Sequence, residues 1–69
     1  MPFTYDEMQL IALYNRGSRT ATIRELKRLR RYLDADETEL IMLSKNAIEK
    51  LNSISDTDYD ALDLIPDLD

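Results

Sequence analysis

The feature that most constrains the fold of this chain is a helical repeat of apolar side chains in its middle part. Between residues 19 and 33 the apolar side of the predicted helix consists of Ile23, Leu26, Leu29 and Leu33. Between residues 37 and 54 the apolar stripe consists of Leu40, Leu43, Ala47, Leu51 and Ile54, widened by Ile41 and Ile48. Such spacings place side chains on one side of a helix, whereas the side chains of a strand alternate. The middle of the chain therefore predicts two amphipathic helices.

Candidate N-cap residues mark where the helices begin. They are Thr4, Ser18, Asp36 and Ser55. Thr4 can form a capping box with Glu7, and Ser18 follows the only glycine of the chain. Asp36 and Ser55 are each followed three positions later by an acidic residue, Glu39 and Asp58. The four candidate N-cap residues predict helices over residues 5–15, 19–33, 37–53 and 56–62. Pro66 excludes helical geometry at Ile65, so residues 63–69 are expected to form an extended tail. The predicted fold is all-α: one domain, residues 1–69, with a small bundle of three main helices, a short C-terminal helix and the tail.

The size of the chain limits its stability. A domain of 69 residues buries a modest fraction of its surface and is expected to be marginally stable unless something reinforces it. The chain contains no cysteine and no histidine, so it has no disulfide and neither of the two common zinc ligands. We expect no cofactor and no metal site. Oligomerisation or regular helix packing remain as sources of stability.

The first predicted helix is apolar on almost every side. Its apolar residues are Tyr5, Met8, Leu10, Ile11, Ala12, Leu13 and Tyr14. A helix of this kind is usually covered on most of its faces, and three short helices can hardly cover one of their number completely. Either the C-terminal segment, a second copy or a partner protein should cover the remainder. The predicted apolar interaction surface consists of Met8, Leu10, Leu13 and Tyr14.

Charge is strongly segregated along the chain. Residues 16–31 carry seven basic side chains and the single acid Glu25, a local charge of about +6. Residues 53–69 carry six aspartates and no basic residue, about −6, and the whole chain has a net charge of −5. Such segregation is typical of an interaction surface. The predicted charged interaction face consists of Arg24, Lys27, Arg28 and Arg31.

Three interpretations of this charged face remain open. It can be a solvated surface that the acidic C-terminal stretch partly neutralises, where each exposed ion pair contributes about 0–1 kcal/mol. It can dock on an acidic protein surface. It can contact nucleic acid, although the net charge of −5 opposes the usual electrostatic attraction of a DNA-binding domain to a duplex.

Two arrangements remain open for the side chain of Arg30, and two for the tyrosines. Arg30 lies at the edge of the apolar side of its helix, where its head group can extend to water or pair with Asp6 or Glu7. The tyrosines can form a contact surface or surround a small core with their hydroxyls in water, and we favour the second arrangement. They are Tyr5, Tyr14, Tyr32 and Tyr59.

No arrangement of residues indicates catalysis. Without histidine or cysteine, the serines at helix starts have no activating imidazole base. Carboxylate pairs such as Glu37/Glu39 and Asp58/Asp60 lie in first helical turns, where the helix dipole explains them. The aspartates of residues 56–60 resemble the start of a calcium loop but lack its glycine and terminal glutamate. We therefore expect no enzymatic activity and no small-molecule ligand.

The N-terminal residues and the hydropathy of the chain indicate where in the cell the protein is located. Residues 1–7 are acidic where a secretory signal would be basic, and no apolar run approaches the length of a membrane span. We therefore expect a cytoplasmic protein that makes no contact with a membrane.

Four segments resemble a known family, the transposon-transfer assisting proteins, which are short proteins of bacterial conjugative transposons. The segments are residues 3–7, 13–19, 47–51 and 62–67. The most specific are the turn Tyr14-Asn15-Arg16-Gly17-Ser18-Arg19 and the tail Leu62-Asp63-Leu64-Ile65-Pro66-Asp67. The resemblance spans nearly the whole chain. It implies a cytoplasmic accessory protein of a mobile element, and it brings no catalytic residue or cofactor.

These observations give a leading functional hypothesis and an alternative. The leading hypothesis is a non-catalytic adaptor for the transfer or regulation of a conjugative transposon, which binds another protein of the mobile element or a second copy of itself. The alternative is a small DNA-binding accessory factor that places the basic side of the second helix against the phosphates.

Overall fold

The computed structural model describes residues 3–62, and short connections join the helices of this part. The helices are α1 (Tyr5–Tyr14), α2 (Arg19–Tyr32), α3 (Thr38–Ser53) and α4 (Asp56–Asp60). Residues 3–62 contain no strand, which confirms the predicted all-α class. The observed helix ends differ from the predicted ones by at most two residues. The tail expected at residues 63–69 lies outside the described residues.

Side-chain caps fix the starts of three helices. At α1 the backbone N–H of Glu7 donates to Thr4 Oγ1 at 3.1 Å, and the backbone N–H of Thr4 donates to Glu7 Oε1 at 2.9 Å. This is the expected capping box, which satisfies two backbone donors that the helix leaves unpaired. Ser18 caps α2 and Ser55 caps α4 in the simpler way, with the hydroxyl accepting a backbone N–H three residues later.

The predicted N-cap residue of α3 was wrong. We expected Asp36 to cap a helix that begins at residue 37, but α3 begins at Thr38 and its N-cap residue, Glu37, makes no side-chain cap. The Glu37 carboxylate instead accepts the backbone N–H of Asp34 at 3.0 Å, and the backbone N–H of Glu37 donates to the Asp34 carbonyl at 3.0 Å. Residues 34–37 thus form a tight turn of their own, and the helical bonds begin after it, with the backbone N–H of Ile41 donating to the Glu37 carbonyl at 3.0 Å.

The core lies where α1, α2 and α3 meet. Its buried apolar members are Leu10, Ile11, Ile23, Leu26, Ala47, Ile48, Leu51, Ile54 and Tyr59. Both predicted amphipathic stripes supply this core, and Leu29, Leu40 and Leu43 pack at its edge. No described helix combines the length and the apolar character that a membrane span requires.

An ion pair crosses the edge of the core between α1 and α3. The Glu7 carboxylate is 3% exposed and lies 2.6 Å from the Lys50 ammonium group. Burial raises the pKa of the Glu7 carboxyl, but the hydrogen bonds from Lys50 and Thr4 outweigh burial and leave this pKa below its usual value. Lys50 also lies 6.0 Å from the centre of the Phe3 ring. Glu7 therefore both caps α1 and ties it to α3.

Candidate interaction surfaces

The four residues of the predicted charged face lie together on the outward side of α2. All are exposed, while Thr22, Ile23 and Leu26 on the other side of the helix are buried. We call this surface the basic face; it consists of Arg24, Lys27, Arg28 and Arg31. The helical periodicity alone places these side chains side by side, because residues three and four positions apart are neighbours on a helix.

Acidic side chains neutralise the basic face only in part. Arg28 Nη1 lies 3.7 Å from Glu25 Oε1, and Glu25 also pairs with Arg16 at 3.4 Å. Within the described part of the chain, Arg24, Lys27 and Arg31 form no ion pair. The basic face therefore keeps most of its charge with respect to residues 3–62.

The acidic α4 neutralises a different arginine. Asp56 Oδ1 accepts from Arg19 Nε at 2.8 Å, and Arg19 Nη1 also donates to the Leu51 carbonyl at 3.0 Å. Arg19 lies at the start of α2 and outside the basic face. The expectation that the acidic C-terminal stretch covers the basic face thus finds no support in α4, and Asp63, Asp67 and Asp69 lie outside the described residues.

Two shallow depressions border the basic face. One has a volume of about 340 Å³ and is lined by Arg24, Glu25, Lys27, Arg28 and Arg31. The other has a volume of about 430 Å³ and lies where Lys27, Arg30 and Arg31 of α2 approach Ile41 of α3. Arg30 is exposed, so its head group reaches solvent, and Glu7, one of its two suggested partners, pairs with Lys50 instead.

The structure corrects the predicted apolar interaction surface on α1. Leu10 is only 6% exposed and belongs to the core, and Tyr14 is half-buried and packs against the core. Leu13 is 61% exposed and Met8 is half-buried. Leu10 and Tyr14 share with Ile11 the side of α1 that faces α2 and α3, whereas Met8 and Leu13 lie on the other side. Leu10 is therefore unavailable to a partner, and Tyr14 is available only in part.

A different set of residues forms the outward side of α1. We call it the outer face of α1; it consists of Tyr5, Met8, Gln9, Ala12 and Leu13. Gln9 is its only polar side chain, and Tyr5 is 65% exposed. Tyr5 was missing from the predicted apolar surface, although its spacing of three, seven and eight residues to Met8, Ala12 and Leu13 is the signal that could have found it.

A shallow, open groove runs between α1 and α3. Its volume is about 550 Å³, and its lining residues are Thr4, Asp6, Glu7, Thr38, Glu39, Met42, Leu43 and Asn46. Asp6 and Glu39 are exposed and form no ion pair among residues 3–62. Met42 is 54% exposed although it is a large apolar side chain. We call this surface the α1–α3 groove, and sequence reasoning missed it because its residues come from two separate helices.

The turn between α1 and α2 forms a hydrogen bond with α4. Asn15 Oδ1 accepts from the Gly17 backbone N–H at 2.9 Å and from the Tyr59 hydroxyl at 2.5 Å, and this hydroxyl lies 2.7 Å from Thr22 Oγ1. Gly17 has φ +90°, a conformation that suits glycine. The distinctive residues of this turn thus hold α4 against the start of α2.

The tyrosines only partly match the expected arrangement around the core. Tyr59 is 3% exposed, so its hydroxyl bonds to protein groups and not to water. Burial raises the pKa of the Tyr59 hydroxyl, with a smaller contribution in the same direction from Asp60, while the Thr22 hydrogen bond opposes the shift. Tyr14 lies at the rim of the core as expected. Tyr5 and Tyr32 are largely exposed, at 65% and 76%.

Comparison with known families agrees with the resemblance of the four segments. A family model described as "Putative transposon-transfer assisting protein" matches residues 3–66, nearly the whole chain. No curated protein and no solved structure gives a significant match. Since the match covers all four described helices, this chain belongs to the family of transposon-transfer assisting proteins.

Proposed function

We propose that this protein is a non-catalytic accessory protein of a conjugative transposon and that it assists transfer by binding another protein of that element. The observation that carries the proposal is the outer face of α1. Tyr5 and Leu13 are 65% and 61% exposed there, Gln9 is the one polar member of that face, and the exposed Asp6 adjoins it on the side of α3. An amphipathic core helix normally turns polar residues to solvent, so an apolar outward side is typical of a helix that a second protein covers.

The chemistry of this face favours a protein partner. Apolar side chains three and four residues apart on one helix can enter an apolar groove of another protein. Burial of such side chains contributes about 25 cal/mol per Å² of apolar surface. The family description supports a partner from the transfer machinery, since a protein that assists transfer acts on components that carry transfer out. The absence of histidine and cysteine from the sequence favours a binding role over a catalytic one.

Binding measurements against each purified protein of the same transposon test this proposal. We expect one of them to bind the wild type, and Leu13→Glu to weaken that binding roughly tenfold or more, because the variant must bury a charge in an apolar interface. Ala35→Glu is the matched control, since it adds the same charge at an exposed loop position outside α1. Unchanged affinity of Leu13→Glu for the bound protein would contradict the proposal, and so would the lack of any binding transposon protein.

DNA binding through the basic face is a second candidate. The observation that favours it is the absence of ion pairs at Arg24, Lys27 and Arg31 within residues 3–62. Phosphate contacts release counterions, so affinity should fall steeply between low and physiological salt. Fluorescence anisotropy with DNA from the transposon ends measures this dependence. The combined change Arg28→Glu and Arg31→Glu should abolish binding, and undetectable wild-type binding at low salt would eliminate this candidate.

A further inference from the structure

The basic face and the α1–α3 groove carry opposite charges on opposite sides of the molecule. Because α1, α2 and α3 pack against one another, the seam between α1 and α3 lies on the far side from the outward surface of α2. We propose that the basic face of one copy docks into the α1–α3 groove of a second copy, so that copies associate head to tail. This contact uses neither of the exposed apolar residues Tyr5 and Leu13 of the outer face of α1, and it goes beyond the proposed function.

Charge complementarity is the first argument for this occupant. Asp6 and Glu39 border the groove and form no ion pair among the described residues. Arg24, Lys27 and Arg31 of the basic face likewise form no ion pair among the described residues. No lysine or arginine is among the described residues that line the groove. Docking would therefore bring together charges of opposite sign that have no partner within residues 3–62, and such charges fix the orientation of two surfaces.

Exposed apolar side chains provide the second argument. Tyr32 is 76% exposed and follows Arg28 by four residues, so it lies beside the basic face. Met42 is 54% exposed and lines the groove next to the half-buried Leu43. Both surfaces thus combine charge with one large exposed apolar side chain. A flexible methionine adapts well to an aromatic ring, with which its sulfur makes favourable contacts.

The proposed contact is head to tail, so it can repeat from one copy to the next. Two different surfaces meet, so the second copy still presents its own basic face to a third copy. Association of this kind continues along a chain of copies and does not stop at a dimer. The contact depends on charges near the surface, so it should weaken as salt concentration rises.

A complementation experiment by sedimentation velocity tests the proposal on the full-length chain. The groove variant carries Asp6→Lys and Glu39→Lys, and the basic-face variant carries Arg28→Glu and Arg31→Glu. Wild type should form species larger than a dimer at low salt, and each variant alone should associate roughly tenfold more weakly or worse. An equimolar mixture should form a heterodimer that grows no further, because the groove variant keeps an intact basic face and the other variant an intact groove.

Several outcomes overturn the proposal. Wild type that stays monomeric at low salt and high concentration overturns it, as does a mixture of the two variants in which both stay monomeric. Leu13→Glu should self-associate like wild type; if it abolishes self-association, the copies meet through the outer face of α1 instead. Circular dichroism melts verify that each variant is folded. If a charge reversal unfolds the chain, the milder pair Asp6→Asn and Glu39→Gln is measured instead. This pair should also associate more weakly than wild type.

Discussion

Glu7 shows how much one residue can contribute in a small chain. Its carboxylate accepts the backbone N–H of Thr4 at 2.9 Å and a charged hydrogen bond from Lys50 at 2.6 Å. The first contact is local and fixes the start of α1. The second joins α1 to α3 across 43 positions of sequence. A buried carboxylate is costly without such partners, so these two contacts are what keep Glu7 ionised inside the folded protein.

Glu7 should make the fold less stable as the pH becomes acidic. Its pKa is lower in the folded protein than the ordinary value of 4.5. A lowered folded-state pKa stabilises the fold above the unfolded-state pKa, and this contribution is lost as pH falls through the folded-state pKa. Urea unfolding of wild type should therefore show stability falling below about pH 4.5.

The variant Glu7→Gln isolates this contribution. It should cost about 1–3 kcal/mol at neutral pH, because the charged hydrogen bond to Lys50 is lost, and the loss should shrink at acid pH. Glu49→Gln is the matched control at an exposed position of α3. A pH profile of Glu7→Gln that runs parallel to that of wild type would show that Glu7 is not responsible.

At the scale of elements, the short α4 depends on contacts with the rest of the fold. A helix of five residues is not stable by itself. Tyr59 anchors it, since the ring is buried and the hydroxyl bonds to Asn15 and approaches Thr22. Arg19 adds the ion pair to Asp56. The turn between α1 and α2 and the C-terminal helix therefore stabilise each other.

Tyr59→Phe tests this dependence. Loss of the hydroxyl removes its hydrogen bond to Asn15 and its contact with Thr22 in a largely buried site, so we expect a cost of about 1–2 kcal/mol in the free energy of unfolding. Amide hydrogen exchange should also speed up in α4 and in the turn over residues 15–18. The same deletion in Tyr32→Phe should change neither, because Tyr32 is 76% exposed. Equal effects of the two variants would rule out the anchoring role of the Tyr59 hydroxyl.

At the scale of the whole molecule, stability depends on one small core and charge lies on its outside. Leu51 is fully buried between the helices, whereas Lys27 is exposed on the basic face. Small domains have a total stability near the low end of about 5–15 kcal/mol. An unpaired charge in the core, together with the lost burial of the leucine side chain, can therefore cost as much as this total.

A pair of substitutions measures this contrast. Leu51→Asp should unfold the chain, because an unpaired charge in the core costs about 3–5 kcal/mol. Lys27→Ala should change the free energy of unfolding by less than about 0.5 kcal/mol. Thermal melts followed by circular dichroism rank the two variants. The opposite ranking would show that the inward and outward sides of the helices are assigned wrongly.

The sequence by itself determined the helices and the basic face. Caps such as Thr4 and Ser55, and spacings such as that of Leu26 to Leu29, act within a few residues, so they can be read along the chain. The position of Arg28 opposite the core follows from the same periodicity. The local signal failed at Asp36, because residues 34–37 form a tight turn and the helical bonds begin at Glu37.

Only the tertiary structure decided which side of α1 faces the core. Apolar residues surround that helix, so its periodicity does not distinguish the buried Leu10 from the exposed Leu13. The pair of Glu7 with Lys50, the contact of Asn15 with Tyr59 and the α1–α3 groove likewise join residues distant in sequence. Local patterns carry no information about such contacts, because they depend on how the packed helices are oriented relative to one another.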